Sequence, residues 1–272
     1  MDDSRTAFAQ LDQITPELRA MLTSALDRMA ADPQIRRVRR VAWQALAARP
    51  GQRILDAGCG LGEVARELAA AVAPDGEVVA LDLSAATVQA AAQRHDGSPV
   101  RYLTGDVAAL AFPDASFDAV RSERVLQHLA EPDAAIAELV RVTRPGGRVC
   151  LIDTDWESLT VDGLPDELVA TMREAVLAGT RRRGHLPEMG RTLRRRLNRA
   201  GLADVTAQPV TLCFPDQAAT AAVVPLFNPQ LPRDPGLLPE DLWEDWFAAL
   251  ATATAREDLL VALTIWVTTG TH

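Results

Sequence analysis

RILDAGCGLGEVAREL, residues 53–68, runs from an apolar strand through a glycine turn into a helix. Ile54 and Leu55 belong to a short buried run, and Asp56 ends it. Gly58, Gly60 and Gly62 follow at every second position, and the helical spacing of Val64 and Leu68 begins at once. Alternate glycines make a turn without Cβ atoms, so a ligand can lie against backbone N–H groups and a helix N-terminus. The stretch predicts a nucleotide-type site on an α/β sheet.

Outward from it, strands and helices alternate. Strands are predicted at 53–56, 77–82, 100–104, 117–122 and 148–154, and helices at 62–73, 84–95 and 133–142. Ser84 is a natural N-cap for the second of these helices. The spacing reads as parallel βαβ units, whose right-handed crossovers place a ligand at the carboxyl ends of the strands. Upstream, residues 6–30 carry helical spacing (Phe8, Leu11, Leu18, Met21, Leu22), with Thr15-Pro16 as a start signal. A second helix begins after Asp32-Pro33, and Arg49-Pro50-Gly51 stops it. These form an N-terminal helical cap over residues 1–49, ahead of a main domain at 50–272. After Asp155 the alternation lapses. A helix is predicted at 166–178, an Arg run in a loop at 181–183, a helix at 190–200 and a strand at 205–214. A Pro-rich irregular connection over 215–239, an aromatic helix at 240–250 and a last strand at 259–269 follow.

Three acids stand at informative places. A dinucleotide fingerprint would put a third glycine where Glu63 stands, and Asp56 precedes the first glycine, where a phosphate has no use for an acid. Asp82 ends VVALD, placed to accept from a ribose diol. Asp106, in Gly105-Asp106-Val107 after the third strand, joins a carboxylate to a backbone N–H and can read an adenine edge; alone it would be an ordinary Asp turn.

These pieces together resemble the class I S-adenosylmethionine-dependent methyltransferases, nearest the branch of ubiquinone/menaquinone and natural-product enzymes. The matching segments are ILDAGCGLGEVARELA, VVALDLSAATVQAA, VRYLTGDVAALAFPDASFDAV, RSERVLQHLAEPDAAIAELVRVTRPGGRVCLID and LTIWVTTG. Residues 50–155 carry the likeness; 1–49, 156–189 and 215–257 share no motif. The resemblance implies a Rossmann-like, doubly wound, mostly parallel seven-stranded sheet with lid insertions near 156–189 and 215–257. It implies S-adenosylmethionine as cofactor, with Asp56, Gly58, Cys59 and Gly60 at the methionine end and Asp82 with Leu83 at the ribose. Asp106 and Val107 would meet the adenine, and Ser122 and Glu123 would line the methyl group.

A sulfonium is already activated, so such an enzyme supplies placement and desolvation and needs no metal. A hydroxyl acceptor would gain from a base. His128 in LQHLAEP is the first candidate, with Glu123, Asp153 and Asp155 behind it. A His orienting the loop is an equal reading. Trp156 is a candidate pocket wall, while His95 at a helix end, His185 in a polar loop and His272 read as solvated. The expected reaction is methylation of a small, largely apolar molecule of secondary metabolism, at oxygen, with nitrogen and carbon as alternatives. The rival readings are a cofactor-binding protein without transfer, a cyclisation or rearrangement enzyme, and an RNA methyltransferase.

Several classes are disfavoured. Ser122-Glu123-Arg124 replaces the Asn/Asp-Pro-Pro-aromatic motif of adenine-N6 DNA enzymes, and no Pro-Cys occurs. The net charge of −9 argues against a general polyanion binder. Every basic residue is arginine; Arg191, Arg194, Arg195 and Arg199 share a helix side, which with no interleaved aromatics reads as a solvated face rather than a nucleic-acid surface. Cys59, Cys150 and Cys213 lack metal-ligand spacing and read as buried free thiols. The acidic N-terminus and the lack of a long apolar run predict a cytoplasmic protein. Trp243, Trp246, Phe247 and Phe227 suggest an apolar lid, with a small second core or a homodimer contact as the alternatives.

Overall fold

The computed structural model describes residues 15–94, 96–230 and 239–272. Phe8, Leu11, His95, Pro232 and Pro235 lie outside the described residues. Helices α1 (Pro16–Ala31) and α2 (Pro33–Leu46) lead into β1 (Arg53–Ala57), α3 (Glu63–Val72), β2 (Glu77–Asp82), α4 (Ala85–Gln93), β3 (Val100–Thr104) and β4 (Phe117–Glu123). A 3-10 turn at Leu126–His128 precedes α5 (Pro132–Val142) and β5 (Thr143–Asp162). Then come α6 (Asp166–Arg182), α7 (Met189–Arg199), β6 (Ala203–Phe214), α8 (Gln217–Val223), a 3-10 turn at Pro225–Phe227, α9 (Glu240–Ala255) and β7 (Leu260–Thr271).

The strands form one seven-stranded sheet in the order β3-β2-β1-β4-β5-β7-β6. Pairs from β3 through β5 are parallel, while β7 is antiparallel to both β5 and β6. This is the doubly wound architecture expected. Consecutive residues of β1 bury opposite ways: Ile54 joins the core beneath α2 and α3, and Leu55 joins the one beneath α5 and α7. Both are fully buried, which is why the strand reads as a continuous apolar run. Burying each such side chain stabilises the fold by about 1.5–3 kcal/mol. The strand order reverses between β1 and β4, so a crevice opens there at their carboxyl ends.

α2 starts where its sequence says. Asp32 caps it by accepting from the N–H groups of Gln34 and Ile35, with Pro33 in the first turn. Its buried face (Ile35, Val38, Ala42, Leu46) packs on the sheet, so this expected cap helix forms part of a core layer.

Other expectations need correction. β5 runs well past Thr154 because β7 pairs with it as far as Asp162, across a register break between Asp155 and Thr160. That break destroys the period-two pattern and hides the extension. The 215–239 connection contains a helix, α8, capped by Asp216, which accepts from the Ala219 N–H. Arg181 and Arg182 lie in the last turn of α6 rather than in a loop. Cys59 and Cys150 are buried, but Cys213 is exposed, on the edge strand β6. No helix among the described residues is long and apolar enough to cross a membrane.

Candidate active site

A cavity of about 290 Å³ opens at the carboxyl ends of β1, β2 and β4. Gly58, Cys59, Gly60, Asp82, Leu83, Asp106, Val107, Glu123 and His128 line it. Asp56, Ser122 and Asp155 do not.

The three glycines serve different ends. Gly58 has φ +81°, and a Cβ there would collide with Val125, which follows β4. Gly62 has φ +77°, and a Cβ would sit 2.6 Å from the Tyr102 hydroxyl. Gly60 has φ +54°, with open space where a Cβ would be. Only Gly60 keeps the turn bare toward the cavity. The turn's amides are largely spoken for. The N–H groups of Gly58 and Cys59 donate to the Leu81 carbonyl at 2.7 and 3.0 Å, and that of Gly62 donates to the Cys59 carbonyl. The expectation that a ligand lies on these N–H groups is therefore corrected: the turn contributes shape more than donors.

Asp82 ties this turn to β2. Its Oδ2 accepts from the Gly60 N–H at 3.0 Å and its Oδ1 from the Ser84 N–H at 3.1 Å, while the Ser84 hydroxyl caps α4 by accepting from Thr87. Asp106 Oδ1 accepts from the Ala108 N–H at 2.8 Å, so the Asp turn is formed while the side chain still faces the cavity. Leu83 is 38% exposed, one of two large apolar side chains so exposed among the described residues, and it lies on the cavity wall. An exposed leucine between two hydrogen-bonding acids is the surface an adenosine face would cover. Open space at Gly60, an oriented carboxylate at Asp82 and a bare apolar surface at Leu83 fit an adenosyl ligand.

Beside β4 lies an ion network that sequence reasoning missed. Arg121 is buried within the strand; its Nη1 donates to Asp56 Oδ1 at 2.7 Å and its Nη2 to Glu123 Oε2 at 2.5 Å. Arg39, from α2, donates through Nε to Glu123 at 3.2 and 3.3 Å, and Arg124 Nε stands 3.6 Å from the same carboxylate. Burial alone would raise the Glu123 carboxyl, but Arg39, Arg121 and Arg124 outweigh it and hold it at about 2. Glu123 is thus an anchor for guanidinium groups, contrary to its expected place among the bases. Asp56 sits behind Arg121, burial raising its carboxyl against the pull of that arginine. Ser122 is buried off the cavity, its side chain on the other face of β4 from Glu123. A charged residue inside the apolar run FDAVRSE was the available signal for Arg121, and Arg39 falls four residues after Ile35, on the buried stripe of α2.

The remaining base candidates are also held elsewhere. Trp156 Nε1 can only donate, and it does so to Gln127 Oε1 at 2.7 Å. The other end of the Gln127 amide is then NH₂, which meets His128 Nε2 at 3.3 Å, so that nitrogen accepts and the ring proton sits on Nδ1. Burial, with His185 and Arg124 nearby, lowers His128 to about 3. His185, expected in solvent, is buried against His128 with ring centroids 5.8 Å apart. Asp153 accepts from the N–H groups of Gln127 and Thr154, and burial pushes it up to about 7. Asp155 faces α7, 3.6 Å from Arg191.

Around the far side the wall is apolar: Leu26 and Met29 of α1, Val223 and Pro225 near α8, and Leu263 and Ile265 of β7, with Trp156 beside them. The expected lid aromatics are not part of it. Trp246 and Phe227 are fully buried and meet edge to face at 5.3 Å, and Trp243 stacks on Phe247. They belong to the main hydrophobic core on the α2 and α3 side of the sheet.

Sheet order, bare glycine and end-of-strand acids define a Rossmann-like protein built to hold an adenosyl group. Residues 55–151 match the family described as "Methyltransferase domain". The chain is 37% identical over 246 residues to an uncharacterized 37.1 kDa protein in transposon TN4556 of Streptomyces fradiae, covering 90% of this chain and 69% of that one. It is 35% identical over 151 residues to a demethylmenaquinone methyltransferase of Renibacterium salmoninarum, covering 53% of this chain and 62%, less than two thirds, of that relative. Among solved structures, the [4+2]-cyclase SpnF superposes with a TM-score of 0.53 at 22% identity, covering 85% of this chain and 80% of that one. The chain belongs to the class I S-adenosylmethionine-dependent methyltransferases.

Proposed function

We propose that the protein methylates a small, largely apolar acceptor at an acidic phenolic or enolic oxygen. The bound cofactor supplies a sulfonium-activated methyl group. The chain's own residues position and desolvate. Asp82 offers its carboxylate to the ribose diol, Leu83 and Val107 offer apolar surface to the adenine, and Gly60 leaves room. Leu26, Met29, Val223, Pro225 and Ile265 exclude water from the acceptor's side.

The observation that carries the choice of acceptor is the state of the would-be bases. Glu123 is bonded to two arginines and lies close to a third, Asp155 is turned away, and the His128 Nε2 lone pair is taken by Gln127. An acceptor that ionises by itself needs none of them. The relative named as a demethylmenaquinone methyltransferase supports a small-molecule acceptor of quinone type, without bearing on the atom methylated. Arg181 and Arg191 both pair with Glu157, and Arg196 pairs with Asp133, which supports a solvated, internally balanced surface over an RNA-binding one.

The test is transfer of labelled methyl to a series of phenols, enols, amines and thiols. The proposed function predicts incorporation into phenols or enols, with a pH midpoint that follows each acceptor's own acidity. Cofactor binding with no transfer to any class would overturn it in favour of a non-transferring relative. A midpoint fixed across acceptors would overturn the base-free mechanism.

A further inference from the structure

We propose that Arg124 and Arg39 hold a carboxylate group carried by the acceptor, beside Glu123 on the cavity wall. The inference rests on the methyltransferase reading above and narrows its substrate class to apolar molecules bearing an acid.

Three guanidinium groups here face two carboxylates. Asp56 is matched by Arg121, and Glu123 is shared among Arg121, Arg39 and Arg124. Asp153 and Glu63 also act on Arg124 from farther off, but neither hydrogen-bonds to its side chain among the described residues. A buried guanidinium whose N–H groups lack acceptors is costly, and a partner anion relieves it. The donor as a whole cannot bring a net negative charge: its carboxylate is offset by its own ammonium group, and its sulfonium is positive. The acceptor can.

Spare donors point to the same place. Arg39 spends only its Nε on Glu123, and neither of its terminal nitrogens makes a hydrogen bond among the described residues. The Arg124 side chain makes no hydrogen bond to an oxygen among them: its Nη1 rests on the Met29 sulfur, and its Nε is buried without a hydrogen-bond partner. Both side chains line the cavity. Arg124 also has φ +55°, a left-handed conformation unfavourable for a non-glycine residue. Its N–H donates to the Ile152 carbonyl at 2.7 Å, which holds it there. Strain of this kind gathers at ligand clamps. A planar guanidinium with free N–H groups suits a carboxylate, which accepts through two oxygens. Met29, which Arg124 touches, belongs to the apolar side of the cavity, where the acceptor's body would lie.

The test is calorimetry on protein saturated with S-adenosylhomocysteine, titrated with benzoate and with benzamide as its neutral match. The expected result is benzoate binding at least tenfold tighter than benzamide. Arg124→Gln should lose that preference, with S-adenosylhomocysteine affinity within twofold of wild type, and Arg124→Lys should recover part of it. Equal affinity for the two probes, or a preference that survives Arg124→Gln, would overturn the proposal. So would an Arg124→Gln protein that binds S-adenosylhomocysteine tenfold weaker while 5′-methylthioadenosine, which lacks the amino acid, binds as before; that result assigns the arginine to the donor's carboxylate. Failure of wild type to bind S-adenosylhomocysteine would instead overturn the cofactor reading beneath. Should Arg124→Gln melt far below wild type, Arg124→Lys alone decides: unchanged benzamide binding with weakened benzoate binding supports the carboxylate site, and benzoate binding equal to wild type's with the preference lost overturns it.

Discussion

Glu123→Gln removes one negative charge from a buried cluster of three arginines and keeps the side chain's volume. The side chain of Glu123 is 7% exposed, so solvent screens little of the effect. Its carboxyl is held at about 2 against an ordinary 4.5. At 1.36 kcal/mol per unit, that difference contributes roughly 3 kcal/mol to folding. Breaking a buried ion pair by removing one partner gives a similar figure, about 3–5 kcal/mol. The sign follows from the lowered folded value: the contribution is full above pH 4.5 and fades as pH falls through about 2. Urea unfolding of both proteins at pH 7, 4 and 3 measures it. The wild type should exceed the variant by roughly 3 kcal/mol at pH 7, and the gap should narrow steadily toward pH 3. A variant within 1 kcal/mol of wild type at pH 7, or a gap that ignores pH, would refute the anchoring role. A dead enzyme of wild-type stability would restore Glu123 as a base.

Gly60→Ala should weaken S-adenosylhomocysteine binding at least tenfold, because its Cβ enters open cavity space, while its left-handed φ costs about 1–2 kcal/mol of stability. Gly58→Ala should instead be felt mainly in stability, since its Cβ meets Val125; equal binding losses for the two would contradict their separate roles. His128→Gln should change the pH dependence of folding. A histidine held at about 3 penalises the folded state progressively below pH 6.5, so the variant should gain roughly 3 kcal/mol on wild type between pH 7 and pH 4. Parallel pH curves by urea unfolding would count against a neutral, buried ring. Trp246→Ala should cost about 3–5 kcal/mol in thermal or urea unfolding and leave S-adenosylhomocysteine affinity unchanged. Lost affinity at wild-type stability would mean the residue is a lid after all.

How far the sequence could be read depended on the range of each interaction. β2 and β3 were legible to the residue, and β1 and β4 to within one residue: β1, β2 and β4 are apolar runs buried on both faces, and β3, on the sheet edge, is bounded by Pro99 and Gly105. Asp82 and Asp106 were legible because each ends or closely follows such a run. The extension of β5 was not, because the break after Asp155 interrupts the alternation. α8 was hidden by flanking prolines and by having only Thr220 and Val223 buried. The ion network was the largest omission. Arg121 meets Asp56 across 65 positions and Arg39 meets Glu123 across 84, distances over which no local pattern reports. A lone Arg in a strand announces that it needs a partner without saying which. The bases failed for a related reason: residue type and neighbourhood named His128 and Glu123, but their protonation and their bonds are set by groups brought in by the fold.

In the proposed site Asp82, fixed by the Gly60 N–H, receives the nucleoside of the cofactor. Calorimetry of S-adenosylhomocysteine with wild type and Asp82→Ala tests it most directly. Micromolar binding by wild type and at least a tenfold loss in the variant, from removing a hydrogen bond to a charged group worth about 1.5–3 kcal/mol, is the predicted result. Equal affinities in two equally folded proteins would contradict it.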